Sequence, residues 1–522
     1  MTLTRDDHLH PVTRGFYLNF GEEPGRDTNA ALHRLADALR ADLLTGVTDV
    51  VPGYTTLYVE YDARRVNERS VRRWTERPDH ARPNDIRANE TERARTVEIP
   101  VRYDGPDLES VGVQTGLTPE EVVRRHSGAL YHVYAVGFTP GFPFMGEVDA
   151  RLRLPRRDTP RARVDAHSVA MTGSQTGIYP LPSPGGWHLL GSALTPVYDP
   201  HRAEPFLLRP GDGVSFVPAQ GETPPPPERL ELLPPAPHTP LFRVHEPGLL
   251  DLPVDQGRFL GGHFGLSRSG PVDAGLAGLA NRLLGNAPDA PLVELTLTGP
   301  VLEALTAGVV AVTGWSLTAQ LNGGAQTPFS SFAVSRGDVL TFSPTPRSCR
   351  SYLAVAGGVE SGRFWGSAST DLKGFIGRPL RAGDVLGRQH PAAPRPGRCF
   401  VPYAPTQDVT TLRLEPGPQA DGGALAGLTE HPFTVASADR VGIRLEGAPV
   451  PGGDVTSEAT PLGAVQVTSG GAPILLLHDR GALGGYAKPA LLYPADLGRA
   501  AQLRPGGRVR FVLGEGSGRF KR

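Results

Sequence analysis

Lysine is nearly absent from this chain: only Lys373, Lys488 and Lys521 occur, against 50 arginines. No Gly-Lys dipeptide exists. That excludes a Walker A loop, whose lysine must follow glycine to reach the nucleotide phosphates. A biotin acceptor of the Met-Lys-Met kind is also missing, so no covalent biotin is expected on this chain. Cysteine is just as scarce. Cys349 and Cys399 stand far apart and form no CxxC pair, which argues against a disulfide framework or a cysteine zinc site and for buried thiols. No Gly-x-Ser-x-Gly elbow appears, and too few lysines remain for an amidase-type Ser-Ser-Lys centre. The formal net charge is −1 with no long block of one sign, so no nucleic acid and no membrane surface is expected as a partner. The opening MTLTRDDHLHPVTRG lacks an apolar signal core, no later run approaches a membrane span, and a cytoplasmic location is expected. His8 and His10 are read as incidental residues of a mobile tail.

Glycine and proline, 64 and 53 residues, are plentiful instead. They crowd residues 138–191, where a turn follows every few residues. Such loops bring main-chain N–H groups close to a small anionic ligand. Residues 218–240 (PAQGETPPPPERLELLPPAPHTP) read as an extended, semi-rigid spacer between two halves. In the first half, residues 30–43 have helical apolar spacing with Asn29 as a possible N-cap. Residues 56–61 alternate as a strand, 62–96 read as helix followed by loop, and 97–103 begin the next domain as a strand. Thr118-Pro119-Glu120-Glu121 fits a capping box, predicting a short helix to about His126 that stops at Gly128. Short strands and turns then suggest a compact β-barrel. In the second half, Asp273 should cap a helix over AGLAGLANRLL that Gly285 ends. A further division is expected near 395–410.

Motifs in order along the first half carry a family resemblance: Gly137-Phe138-x-Pro140-Gly141-Phe142, Pro155-Arg156-Arg157, Gln175-Thr176-Gly177-Ile178-Tyr179-Pro180 and Ser183-Pro184-Gly185-Gly186-Trp187. This half resembles the family of the 5-oxoprolinase B subunit, also described as a sporulation-kinase inhibitor or first allophanate hydrolase subunit family. The second half carries Ser269-Gly270-Pro271-Val272-Asp273, Ala280-Asn281-x-Leu283-x-Gly285-Asn286, Asp439-Arg440-x-Gly442, Gly463-Ala464-Val465-Gln466-Val467 and Gly484-Gly485-Tyr486. It resembles the family of the C subunit, also described as the kinase antagonist or second allophanate hydrolase subunit family. Together the two resemblances cover nearly the whole chain and imply a B/C fusion.

The resemblance implies a mainly β fold with α+β parts, built on cyclophilin-like β-barrels. A small α/β domain (1–95) would precede a B-type barrel (96–218) and the Pro-rich linker (219–240). Two C-type barrels (241–400 and 401–522) would follow. It also implies ATP-dependent opening of 5-oxoproline to glutamate, with ATP and Mg²⁺ as cofactors and a separate A subunit of the lactam-utilisation family as partner. Homo-oligomerisation stays open. Two other readings stand beside it: the carboxyltransferase component of a urea-carboxylase-like system with biotin delivered in trans, and a non-catalytic regulator of a histidine kinase.

Candidate site residues follow from these motifs. His126, at a predicted helix end where the dipole favours its protonated form, is read as a general acid or substrate hydrogen bond, or as a structural C-cap. Arg156 and Arg157 would clamp a carboxylate or phosphate, with at most one facing inward, or tie loops. Gln175, Thr176, Tyr179 and Ser183 offer neutral hydrogen-bonding groups suited to a lactam, or stabilise turns. Lys488, the lysine within a motif, would contact phosphate or carboxylate, or lie on the surface. Asp255 joins His126 and Lys488 as a catalytic candidate, while Asp273 and Asp479 are possible Mg²⁺ ligands, Asp273 having a plainer reading as a helix cap. Arg258, Ser269, Asn281, Arg440, Gln466 and Tyr486 are candidate substrate- or ATP-binding residues by motif match. Three positions depart from the family pattern: Val254 before Asp255, Ala368 where arginine is usual, and Ser192 in place of another arginine. Loss of the two arginines implies altered anion binding, or merely lost loop ties.

Overall fold

The computed structural model describes residues 12–81, 95–346, 348–392, 394–400 and 409–514. His8, His10 and part of the expected division near 395–410 lie outside the described residues. An antiparallel sheet of Thr13–Asn19, Thr56–Asp62 and Val47–Pro52 opens the chain, with Thr56–Asp62 in the centre. Helix Arg26–Ala41 covers it through Leu32, Ala36 and Leu39, spaced so that they share one face. The helix is capped at Gly25, ahead of the expected start, so Asn29 is not its cap. Asn29 is buried instead, and its Nδ2 donates to the carbonyls of Tyr54 and Tyr134 at 3.1 Å each. The helical reading beyond residue 62 holds for Glu68–Thr75 and Pro78–Ala81.

A closed seven-stranded barrel follows, in the order His188–Ala193, Thr96–Arg102, Gly213–Pro218, Leu130–Val136, Pro143–Gly146, Gln175–Ile178, Ser168–Thr172. Every one of these strands contributes to a single core that includes Ile99, Val133, Met145, Met171, Ile178, Leu190 and Phe216. Helix Pro119–Ser127 packs on it; Thr118 Oγ1 accepts from Glu121 N–H at 3.2 Å, as the capping motif requires. Because side chains alternate along a strand, Tyr134, Phe144 and Leu189 face the other way. They join Tyr54, Tyr58, Phe142, Tyr179, Trp187, Ala459 and Leu483 in a second cluster that draws on three parts of the chain.

Residues 219–240 are extended but packed, which corrects the expectation of a spacer. Leu230 N–H donates to Phe375 O at 2.8 Å, Gly377 N–H donates to Leu230 O at 2.7 Å, and Leu232 is buried. The prolines keep this segment extended, and its leucines glue it to the second half.

The next unit departs from a single closed ring. A six-stranded sheet containing Pro240–Glu246, Val301–Ala304 and Val339–Pro344 packs on a five-stranded sheet, Leu250–Val254, Leu292–Thr296, Arg350–Val355, Gly308–Gly314, Ser330–Val334. Val310, Leu353 and Val355 fill the space between the sheets. Their neighbours Ala311, Tyr352 and Ala354 face helix Ala274–Leu284 on the opposite side. That helix matches its prediction. Asp273 Oδ1 accepts from Leu276 N–H at 3.2 Å, and Gly285 closes it at φ +71°, a left-handed conformation suited to glycine.

The last unit is an eight-stranded sheet in which Val409–Pro416 also pairs with Leu483–Leu492, closing it into a barrel. The two halves meet along an extensive seam. Leu260 N–H donates to Thr48 O at 3.0 Å, Arg268 pairs with Glu60 at 3.1 Å, and Tyr17 OH donates to Ala459 O at 2.6 Å. Of the two cysteines, Cys349 is buried and Cys399 exposed, so the expectation of buried thiols holds for only one.

Candidate functional site

A cleft of about 750 Å³ opens where the first half meets both units of the second. Residues 12–14 form one edge, helix Ala274–Leu284 lies along one wall, and His478, Tyr493 and Gln502 come from the last barrel. Its size suits a small molecule or a nucleotide. Of the candidate site residues, Asp255, Asp273 and Asn281 line it; Arg440, Asp479 and Ser269 stand behind its wall.

What those rear residues do is clear from their contacts. Arg440 meets Asp479 through Nε and Nη2, at 2.8 and 3.0 Å, and donates Nη1 to Glu294. Nη2 also donates to Gly270 O at 2.7 Å. Glu294 accepts from Tyr352 OH and Val272 N–H, both at 2.8 Å. Burial opposes the charge on Glu294, but Arg440 and Arg350 outweigh it and hold the carboxyl below its usual range. For Arg440, burial is outweighed by Asp479 and Glu294, so it stays protonated. The network clamps residues 270–272, which run into the cleft wall. Ser269, at φ +54°, begins this loop; its N–H donates to His478 O at 3.1 Å and its Oγ has no partner among the described residues.

Asp273 is a helix cap and a cleft residue at once. Its Oδ2 accepts from Gln502 Nε2 at 2.8 Å, and burial pushes its carboxyl up to about 6. Asp255 accepts from Ser367 Oγ, Ser369 Oγ (2.6 Å), Ala368 N–H (2.7 Å) and Gly257 N–H (2.9 Å), with Arg363 at 3.2 Å. It holds the 367–369 loop. Ala368 and Val254 are fully buried, so the first two departures from the family pattern fall on packed positions; Ser192 pairs with Arg102 and Ser168 in the barrel. Asn281 ties its loop through Ala290 O and Asn286 Nδ2.

The two metal candidates are already engaged within the protein. Asp479 is engaged by Arg440 and Asp273 by Gln502 and the helix, and the described residues contain no group of three or more His, Cys, Asp or Glu able to hold a metal ion. Of the two, Asp273 lines the cleft and Asp479 stands behind its wall.

A second group of expected residues meets at the seam, away from the cleft. Lys488 is fully buried; Nζ contacts Glu458 Oε1 at 2.9 Å and donates to Tyr486 O at 3.1 Å. The surface reading of Lys488 is therefore wrong. Burial lowers its pKa, and Glu458 opposes that shift. Gln466 lies against Gly484, where a Cβ would come within 2.7 Å of its Nε2. Exposed Arg156 reaches to within 4.0 Å of the Cβ position of Gly485, so the two Gly-rich motif regions touch across the seam. Tyr179 packs edge-on against Phe142, Gln175 lies beside Tyr54, and Ser183 Oγ has no partner among the described residues. Arg157 ties loops: with Arg161 it pairs to Asp107, at 2.8 and 2.7 Å.

His126 and Thr176 lie in the first barrel's interior. Tyr103 OH donates to Nδ1 at 2.8 Å, Nε2–H donates to Thr176 Oγ1 at 2.9 Å, and Thr176 donates to Ala170 O at 3.0 Å. The ring stacks on Phe216, and burial lowers its pKa to about 3. The expected protonated form is thus overturned: desolvation outweighs the helix dipole. Arg258, buried beside Arg268, Arg480, Glu60 and Asp49, borders a separate polar pocket of about 30 Å³ and donates to Ser369 O.

Sequence reasoning missed His478, Gln502, Arg14, Arg268 and Trp315 of the cleft. His478 sits beside the candidate Asp479 and Arg268 directly precedes the Ser269–Asp273 motif, so asking which titratable residues flank each candidate would have found both. Arg14, Trp315 and Gln502 belong to no motif.

Comparison with known proteins places this architecture. The carboxyltransferase domain family matches the chain twice: its subdomains C and D over residues 10–208, and its subdomains A and B over 264–513. The chain is thus a carboxyltransferase-domain protein. Over 213 residues it is 38% identical to the B subunit of 5-oxoprolinase from Bacillus subtilis, covering 38% of this chain and 87% of that one. Over 289 residues it is 31% identical to the C subunit of 5-oxoprolinase from Escherichia coli, covering 52% of this chain and 91% of that one. The crystal structure of TTHA0988 superposes with a TM-score of 0.91 at 53% identity, covering 96% of this chain and 100% of that one. The chain belongs to the family of the 5-oxoprolinase B and C subunits, with a B half and a C half on one polypeptide.

Proposed function

We propose that this chain is the B/C component of an ATP-dependent 5-oxoprolinase that activates 5-oxoproline for ring opening by a separate A subunit. An unstrained five-membered lactam is a poor electrophile. Transfer of the γ-phosphoryl of ATP to the lactam oxygen releases ADP and makes the ring carbon attackable. Water then adds to that carbon, the C–N bond breaks with a proton going to nitrogen, and a second water hydrolyses the resulting acyl phosphate to glutamate and phosphate. The observation that carries this reading is the cleft whose edges come from both halves, so that neither a B nor a C unit alone would enclose a ligand. ATP would enter as its magnesium complex, because Mg²⁺ is held largely by waters and substrate phosphates with one or two carboxylates.

The test is glutamate and ADP formation from 5-oxoproline and Mg-ATP, with this chain alone and with its A subunit added. Lactam-dependent turnover that needs both proteins supports the reading. No turnover in any combination overturns it and favours carboxyl transfer from a biotin carried by another chain, the chemistry for which the matching family is named.

A further inference from the structure

The cleft contains an imidazole that the described residues leave without a hydrogen bond. His478 lines the cleft with 7% of its surface exposed, yet no described residue bonds to either ring nitrogen, and Nδ1 is sealed from solvent. Only its main chain is engaged, accepting from Ser269 N–H at 3.1 Å. A buried polar atom without a partner is costly, and a sealed N–H costs more than a sealed lone pair. The sealed Nδ1 therefore carries the lone pair, leaving Nε2–H as the ring donor open to the cleft.

The surroundings of the ring fix its charge. Burial lowers its pKa well below the usual value, and Arg268, Arg440, Arg480 and Arg350 all push in the same direction. These guanidiniums are not donors to the ring. Arg268 and Arg480 pair with Glu60, Arg440 with Asp479 and Glu294, and Arg350 donates to Ala501 O. Their field remains, and a field that opposes a proton on the ring favours a negative oxygen beside it.

We infer that His478, as a neutral donor through Nε2–H, binds the carboxylate of the small cyclic-amide substrate and sets the specificity for it. The inference rests on the proposed 5-oxoprolinase reading and adds to it the group that recognises the acid. A ligand carboxylate would satisfy the one ring donor that no described residue satisfies.

The experiment uses the full chain assembled with its A subunit, comparing kcat/KM for 5-oxoproline and for its carboxamide by ADP release. Wild type should prefer the acid by at least about tenfold, the scale of one hydrogen bond to a charged group. His478→Gln keeps an N–H donor and should keep most of that preference. His478→Met, of similar shape without a donor, should lose about tenfold of it, chiefly through KM and with an unchanged melting temperature. Equal use of acid and amide by wild type, or an undiminished preference in folded His478→Met, overturns the inference and leaves the oxoprolinase reading standing. No turnover of 5-oxoproline by wild type removes both.

Discussion

His126 and His478 are both buried, and both have pKa values driven down, yet the two regions that hold them treat them in opposite ways. The first barrel surrounds His126 with an unbroken relay from Tyr103 through the ring to Thr176 and the Ala170 carbonyl. The cleft gives His478 no side-chain partner among the described residues. A low pKa therefore does not separate a structural histidine from a binding one. The difference lies in whether the ring's hydrogen bonds are complete and whether open space adjoins it.

The same contrast orders the expected effects of substitution. The largest belongs to the fully paired network behind the cleft. Arg440→Met strands Asp479 as a buried carboxylate without its cation and leaves Glu294 with Arg350 at 3.7 Å as its cation, and should cost about 4 kcal/mol, read as a lower denaturant midpoint. A negligible cost would show that water reaches this network. Next, His126→Leu leaves Tyr103 OH without its partner and Thr176 with only its bond to Ala170 O, and should cost about 2 kcal/mol, whereas His478→Met should cost less than about 1 kcal/mol. Equal costs for the two histidines would erase the distinction.

Acid stability sharpens the comparison further. His126 has a pKa of about 3 when folded, below that of an exposed histidine near 6.5. Its contribution is present above the unfolded value and is lost as pH falls from about 6.5 toward 3. Melting temperature should decline over that window, and His126→Gln should flatten part of the decline. The smallest effect has the opposite sign. Asp273 is raised to about 6, so its contribution is present below the unfolded value of 3.8 and is lost as pH rises through 6. Asp273→Asn keeps a good N-cap and should gain about 1 kcal/mol at pH 8 relative to pH 5, checked by thermal melts.

Local signals were legible where one short stretch decides the outcome. Thr118 and Asp273 cap their helices because a side-chain oxygen three residues ahead of an N–H needs no distant partner. Asn29 misled because a helix start looks the same whether its polar residue caps or is buried, and only Tyr54 and Tyr134 decide. The motif residues fall in three separate places. Lys488, Gln466 and Arg156 converge at the seam, while Asp255, Asp273 and Asn281 converge on the cleft, and His126 lies inside a barrel. No spacing along the chain shows that residue 12 and residue 502 edge one cavity.

The packed segment at 219–240 has a consequence for how the protein is supplied. Because one polypeptide carries both halves, they leave the ribosome already joined and in equal number, with Leu230 and Leu232 laying the joining segment along the second half. Separate polypeptides fall apart on dilution and depend on matched expression. Halves on one tether meet at an effective concentration that the cell cannot lower. A seam mutation that weakens their contact therefore cannot be rescued by making more of one partner, and selection must repair it within the same gene.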